Sequence, residues 1–204
     1  MSKLDVDAMR SNVLQISRTL QRGVLDASAA SEKASLLTND PPSSIKQVAA
    51  SNLTAAINII ASSLRHNPQP LDARDVTERI NRTLTHDLLT PHTLYRSHNS
   101  PHLPYIAFCD IPAYATMAYR VIDCGRASPT ALSAFAIWAI DFRGHLFSDG
   151  CGKTAILVSA LLLARAGHPI PRLPTRAVYY AAPYDGERLS WKKWLAAYSE
   201  LSRS

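Results

Sequence analysis

Cysteine is scarce in this chain. Cys109, Cys124 and Cys151 are an odd set of three with no C-x-x-C pair, which argues against a disulfide framework or a thiolate zinc site and for a reducing compartment. Long apolar runs are also missing. The longest dense one, Ala155 to Ala164, is ten residues with a serine inside, whereas a bilayer span needs about 20. Residues Met1 to Asp7 lack the basic start and apolar stretch of a secretory signal. No internal repeat or low-complexity tract interrupts the text. These absences leave a cytoplasmic protein as the expectation, with delivery into another cell as an effector as its variant. At 204 residues and 47% hydrophobic content, the chain has material for one well-packed domain, or for a core with a helical extension.

Negative charge is in short supply toward the C-terminus. The net charge is +6, and residues 151–204 hold eight Lys/Arg against three Asp/Glu, so +5 of it lies in the last quarter. Such a balance suits an anionic partner: a phosphate, a nucleotide or an acidic protein face. Ordinary solubilising charge is the competing explanation.

Up to about residue 90 the pattern is helical. Val13, Ile16, Leu20 and Val24 recur at steps of three and four. Ile45, Val48, Leu53, Ile57, Ile60 and Leu64 do nearly the same, and Val76, Ile80, Leu84 and Leu88 follow. The breakers Asn39 to Ser44 and Asn67 to Pro70 separate these runs. Residues 1–89 carry no obvious chemistry and read as a helical scaffold packed on a core formed by 90–204. From Thr90 to Pro104 prolines and histidines dominate. Tyr95 and the stretch from Leu103 to Phe108 suggest two short strands around a turn at His98 to Pro101. His98 and His102 have the spacing of a helical metal pair, but Pro101 between them argues against the helix.

Three more helices are punctuated clearly. One opens at Asp110–Pro112 and closes before Gly125. Ser128 as N-cap with Pro129 behind it opens the next, which ends at Gly144. The third starts near Gly152 and stops at Gly167, with Pro169 beyond. The last two are apolar nearly all round and should be buried.

The loop between those two helices, His145 to Thr154, reads H-L-F-S-D-G-C-G-K-T. Tight turning explains its glycines, but not a His, an Asp and a Lys seated between the two most buried helices, where desolvating ionisable groups costs several kcal/mol without partners. Gly150, Cys151, Gly152, Lys153 and Thr154 open a helix, whose unpaired N–H groups and positive end form a phosphate cradle that Lys153 reinforces. Asp149 can hold a divalent ion against phosphate oxygens. His145 can take the proton of an attacking hydroxyl if its ring is neutral. Base, metal ligand and cradle together point to phosphoryl or nucleotidyl transfer. A P-loop does not fit, because that pattern needs glycine where Phe147 stands and a strand before the loop.

At these residues the chain resembles the Fic/Doc (Fido) family, whose motif is H-x-F-x-[DE]-[GA]-N-[GK]-R. His145, Phe147, Asp149, Gly150, Gly152 and Lys153 fall in register. The likeness continues through Leu161 to Pro169 and Tyr179 to Leu195, covering roughly residues 90 to 198. It implies a mainly α Fido-type bundle with one small β-hairpin, the flap, from His92 to Phe108, and an N-terminal helical extension. It also implies His145 as general base, Asp149 as Mg²⁺ ligand, Phe147 as loop anchor, and Lys153 in the place of the family's Arg. Typical members transfer AMP from ATP to a protein hydroxyl, the Doc branch moves a phosphate, and others move UMP or phosphocholine.

Three positions depart from the pattern. Cys151 replaces the usual Asn, Lys153 replaces Arg and gives a point charge for a planar fork, and Ile156 occupies the later Arg position. They fit a different donor, an altered donor orientation, or a degenerate site. The expectation is therefore a Mg²⁺-dependent nucleotidyl transferase using a donor such as ATP and a protein or small-molecule hydroxyl acceptor. A Doc-like phosphotransferase, a phosphocholine-type transferase, and a degenerate scaffold serving as a binding module are the alternatives. No membrane partner is expected. Nucleic-acid binding by Arg172, Arg176, Lys192 and Lys193 with Trp191 and Trp194 ranks third. Ser28 to Glu32 matches part of an inhibitory-helix pattern, but Lys33 follows, so Ala27 to Ser35 reads as a turn.

Overall fold

The computed structural model describes residues 4–16, 43–65, 70–88, 93–99 and 104–203. The chain is mainly helical. It runs α1 (Val6–Ile16), α2 (Ser43–Arg65), α3 (Ala73–Thr85), a 3₁₀ turn (Phe108–Asp110), α4 (Ile111–Cys124) and α5 (Pro129–Ile137). A π-turn (Trp138–Phe142) continues α5, and α6 (Cys151–Arg165), α7 (Arg176–Ala181), β1 (Tyr184–Asp185), β2 (Arg188–Leu189) and α8 (Trp191–Leu201) complete it. Leu20, Val24, the Ala27–Ser35 stretch, His92 and His102 lie outside the described residues.

The punctuation works as the sequence reading expects. Ser128 Oγ accepts the Ala131 N–H (3.3 Å) with Pro129 at the first helical position. Gly125 closes α4 at φ +60°. The sequence reading did not single out Asp72, which caps α3 by accepting the Asp75 N–H (2.9 Å).

Helix α6 is the axis of the fold. From Ala155 to Leu163 every residue is buried, and α1, α2, α3 and α5 pack around it. Met9, Val13 and Ile16 of α1, Leu53, Ile57 and Ile60 of α2, and Val76, Ile80 and Leu84 of α3 join one apolar cluster with α5 and α6. Burying each such side chain contributes about 1.5–3 kcal/mol. Asn12 ties α1 down: its Nδ2 donates to the Pro171 carbonyl (2.8 Å) and its Oδ1 accepts the Leu173 N–H (2.9 Å). On the other side Trp194, fully buried, donates through Nε1 to the Ala134 carbonyl (2.8 Å) and meets Phe142 edge-on (4.7 Å). That burial leaves Trp194 no face for a nucleic-acid base. No described helix is long and apolar enough to cross a membrane.

Two details differ from the expectation. The hairpin seen among the described residues is at Tyr184–Leu189, around Gly186 at φ +60°; part of the expected flap, including residues 100–103, lies outside the described residues. Residues 94–96 instead run antiparallel to the motif loop: the Arg96 N–H donates to the Leu146 carbonyl (2.9 Å) and the Ser148 N–H to the Leu94 carbonyl (3.1 Å). The loop itself supplies the unpaired edge, so residues 94–96 pair with the loop. The helix expected through Gly144 also changes character at Trp138, where the Arg143 N–H reaches back five residues to the Trp138 carbonyl (2.8 Å).

Candidate active site

The loop from Gly144 to Gly150 is held by polar side chains from remote parts of the chain. Arg96, 6% exposed, is the main clamp. Its Nε donates to the His145 carbonyl (3.0 Å), Nη1 to the His98 carbonyl (2.6 Å), and Nη2 to the carbonyls of Ile106 (2.7 Å) and Gly144 (3.4 Å). Burial lowers the basicity of this guanidinium from its usual value. One cation thus ties His98 and Ile106 to the loop without any carboxylate. Asn81 of α3 grips the other end, its Nδ2 donating to the Asp149 carbonyl (2.8 Å) and to Thr154 Oγ1 (3.1 Å). Phe147 is fully buried and stacks on Tyr95 (5.5 Å, 15°). Arg96 and Asn81 carry no motif signature; a buried Arg or Asn so far from the loop in sequence is not legible from spacing.

The residues singled out in the motif take different orientations. Cys151 is buried and turned inward: Sγ accepts the Phe147 N–H (3.3 Å) and donates back to the Phe147 carbonyl (3.3 Å). Thr154 is also buried, its hydroxyl engaged with Asn81. Lys153 and Asp149 lie half-buried at the loop end. Gly150 starts α6 at φ +74°, a left-handed conformation that strains any residue with a Cβ. Gly152 is needed for a different reason, since a Cβ there would stand 2.7 Å from Tyr180 Oη, 3.0 Å from Ile16 Cδ1 and 3.2 Å from Asp141 Oδ2. The N–H groups of Cys151, Gly152 and Lys153 open α6 and lack the acceptor one turn back that an interior residue has.

His145 adopts φ +42°, a conformation an L residue takes only when its surroundings impose it. Its side chain is 31% exposed and its ring lies flat against Tyr105 (4.2 Å between centroids, 5°). Nδ1 faces Asp141 Oδ1 at 3.6 Å. Burial pulls the imidazole down, but Cys151 and Asp141 together outweigh it and push it up to about 10. Burial pushes the phenols of Tyr105 and Tyr180 upward, with Asp141 adding to both, so both stay neutral donors at ordinary pH.

His145 opens onto a cavity of about 510 Å³ lined by Tyr105, Asp141, Arg176, Tyr180, Tyr184 and Leu189 among others. Arg176 lies over the Tyr180 ring (4.3 Å) and donates to the Ile16 carbonyl. Because Tyr180 and Asp141 both approach Gly152, the cavity borders the first turn of α6. The structure therefore places an imidazole, a helix N-terminus and an aromatic-walled hollow side by side. The sequence reading named the first two and missed the third, whose walls come from Tyr105, α7 and the hairpin.

Neither a protein-family description nor a curated protein sequence matches the chain. Solved structures do. A Fic-domain-containing signalling protein from Bacteroides thetaiotaomicron superposes with TM-score 0.64 at 17% identity, covering 98% of this chain and 84% of that one. IbpAFic2 superposes with TM-score 0.59 at 14% identity, covering 100% of this chain and 70% of that one; a complex of IbpAFic2 with adenylylated Cdc42 gives 0.57 at 14% identity, covering 97% and 69%. Fic-1 from C. elegans gives 0.54 at 18% identity, covering 98% and 66%. At such identities the likeness is one of architecture, and with the motif loop seated between α5 and α6 it establishes that this chain has the Fic/Doc fold.

Proposed function

We propose that the protein is a transferase that moves a phosphate-containing group, a nucleotidyl group foremost, from a nucleotide-type donor to a hydroxyl. The observation that carries this reading is His145 on the rim of a cavity that also borders the amide-bearing start of α6. In the step envisaged, the acceptor oxygen forms a bond to the donor phosphorus. The bond from phosphorus to the departing phosphate oxygen breaks with its electron pair, and the acceptor's proton passes to His145 in its neutral form, which alkaline pH favours because the ring is pushed up to about 10. With Nδ1 facing Asp141, Nε2 is the nitrogen left for that proton. The amides of Gly150 to Lys153 and the Lys153 ammonium would receive phosphate oxygens.

A single carboxylate at the loop is compatible with Mg²⁺ held jointly with a phosphate donor. Among the described residues no cluster of three or more metal-ligating side chains exists, and Mg²⁺ in phosphoryl sites commonly uses one or two carboxylates together with the substrate's phosphates. Asp149 would be that carboxylate, and the ion would neutralise charge developing on the phosphate. The walls formed by Tyr105, Tyr180 and Tyr184 suit a stacked base or, equally, the quaternary ammonium of a choline-type donor.

Intact-mass measurement after incubation with ATP, GTP, CTP, UTP or CDP-choline, with and without Mg²⁺, and with candidate protein and small-molecule acceptors, tests the reading. The expected result is a mass gain of one transferred group that His145→Ala reduces by about 10²–10⁴-fold, with circular dichroism showing the variant still folded. Transfer undiminished in that variant would remove His145 from the chemistry. A second reading, a binding module without transfer, is favoured by the buried Ile156 where related motifs place a phosphate-reaching Arg. Calorimetric binding of a nucleotide with no product under any condition would support it.

A further inference from the structure

The π-turn brings a buried carboxylate to the imidazole. Asp141 is the one charged residue between Thr130 and Phe142, and it is 3% exposed. The wide turn, closed by Arg143 N–H to the Trp138 carbonyl (2.8 Å) and Leu146 N–H to the Ile140 carbonyl (3.1 Å), sets Asp141 Oδ1 3.6 Å from His145 Nδ1. The ring is fixed from other sides by the Tyr105 stack and by Arg96 on its own carbonyl. Asp141 Oδ2 and His145 Nδ1 have no hydrogen-bond partner. An unpaired carboxylate at this depth is expensive, and the other cations nearby are engaged: Arg96 with four carbonyls, Arg176 with the Ile16 carbonyl and the Tyr180 ring.

We propose that Asp141 is the positioning residue of His145, holding the Nδ1 edge of the imidazole so that Nε2 addresses the cavity. For its mechanistic meaning the proposal rests on reading His145 as the proton acceptor. Asp141 stabilises the imidazolium that forms when the acceptor's proton arrives, and it keeps the Nδ1–H tautomer when that proton leaves. The upward displacement of the imidazole agrees with this pairing. The groups facing the ring are Asp141 from the π-turn, Cys151 from α6 and Tyr105 from the 104–107 segment, with Arg176 and Tyr180 of α7 and Tyr184 of β1 across the cavity.

Heteronuclear NMR titration of the imidazoles in the full chain, with His145 assigned by His145→Gln, tests this without any donor. In Asp141→Asn the His145 midpoint should fall by about one unit or more, and the nitrogen shifts should lose their Nδ1–H preference. In Asp141→Glu the alkaline midpoint should persist. If circular dichroism shows Asp141→Asn unfolded, Asp141→Ser takes its place. An unmoved midpoint and unchanged tautomer in a folded variant overturn the proposal. Once a donor is in hand, the acid limb of the transfer rate should move down with the titration. A moved titration with no transfer by any donor leaves Asp141's role standing and removes the transferase reading. Transfer with an unmoved titration does the reverse.

Discussion

Two buried polar clusters sit within the same helical core, and they differ in how completely they are satisfied. Between α5, α6 and α8, the hydroxyls of Ser133, Ser159 and Tyr198 bond to one another, with Tyr198 Oη 2.7 Å from each serine oxygen. Beside the cavity, Asp141 Oδ2, His145 Nδ1 and Tyr179 Oη have no hydrogen-bond partner, and Nδ1 meets Asp141 Oδ1 only at ion-pair distance (3.6 Å). Buried groups in a structural role find partners because an orphan costs about 1–3 kcal/mol. The first cluster obeys that rule and the second breaks it at the chemistry-bearing loop, the place where a site tuned for a ligand leaves capacity unused. Thr77 Oγ1 of α3 and Tyr119 Oη of α4 also have no hydrogen-bond partner.

The largest test of the contrast is Tyr198→Phe. It deletes the hydroxyl shared by both serines, and unfolding by urea should show a loss of about 1–3 kcal/mol. A neutral result would mean that Ser133 and Ser159 satisfy each other alone, and the contrast would lose one side.

Much of the scaffold was legible because its signals are local. Ser128 with Pro129, Gly125, and the all-round apolar character of 155–163 act within a turn or two, and the structure keeps them. The motif loop stood out too, since a His, an Asp and a Lys between two buried helices are costly to desolvate without partners. What escaped was set by pairing across long stretches of chain. Within the segment expected as a flap, residues 94–96 pair with the loop, because the alternation around Tyr95 cannot say which edge it meets. The hairpin of Tyr184 to Leu189 turns on Asp185–Gly186, too short a signal to stand out between two helical stretches. Arg96 and Asn81 act from 49 and 68 residues away. Asp141 left a trace: a lone charge in an apolar helix, four residues before His145, is the anomaly that could have found it.

The pH dependence of stability probes the unsatisfied cluster more gently. The imidazole is raised from its model-peptide value of 6.5 to about 10 in the folded chain, so the folded state binds that proton more tightly than the unfolded one. Its contribution is fully present below pH 6.5 and is lost as pH rises through about 10. Asp141→Asn removes part of the cause. The melting-temperature advantage of the native chain over that variant should therefore be larger at pH 6 than at pH 10.5, and a gap that does not narrow would detach Asp141 from the ring's proton.

The smallest effect is expected at Tyr179→Phe, and it is the most discriminating. Tyr179 is fully buried against Phe142 and Trp194 (5.1 and 5.7 Å between centroids), so phenylalanine keeps the packing and loses an oxygen that bonds to nothing. Burial, with Asp141 adding, holds the phenol far above its ordinary value, so no charge is lost with it. Removing an unsatisfied hydroxyl leaves stability within about 0.5 kcal/mol or raises it, whereas the partnered Tyr198 hydroxyl should be missed. If calorimetry instead shows a loss above about 1 kcal/mol for Tyr179→Phe, that hydroxyl is satisfied in solution. The two clusters would then differ in how they are hydrated, and the unused capacity at the cavity would shrink to Asp141 and His145 alone.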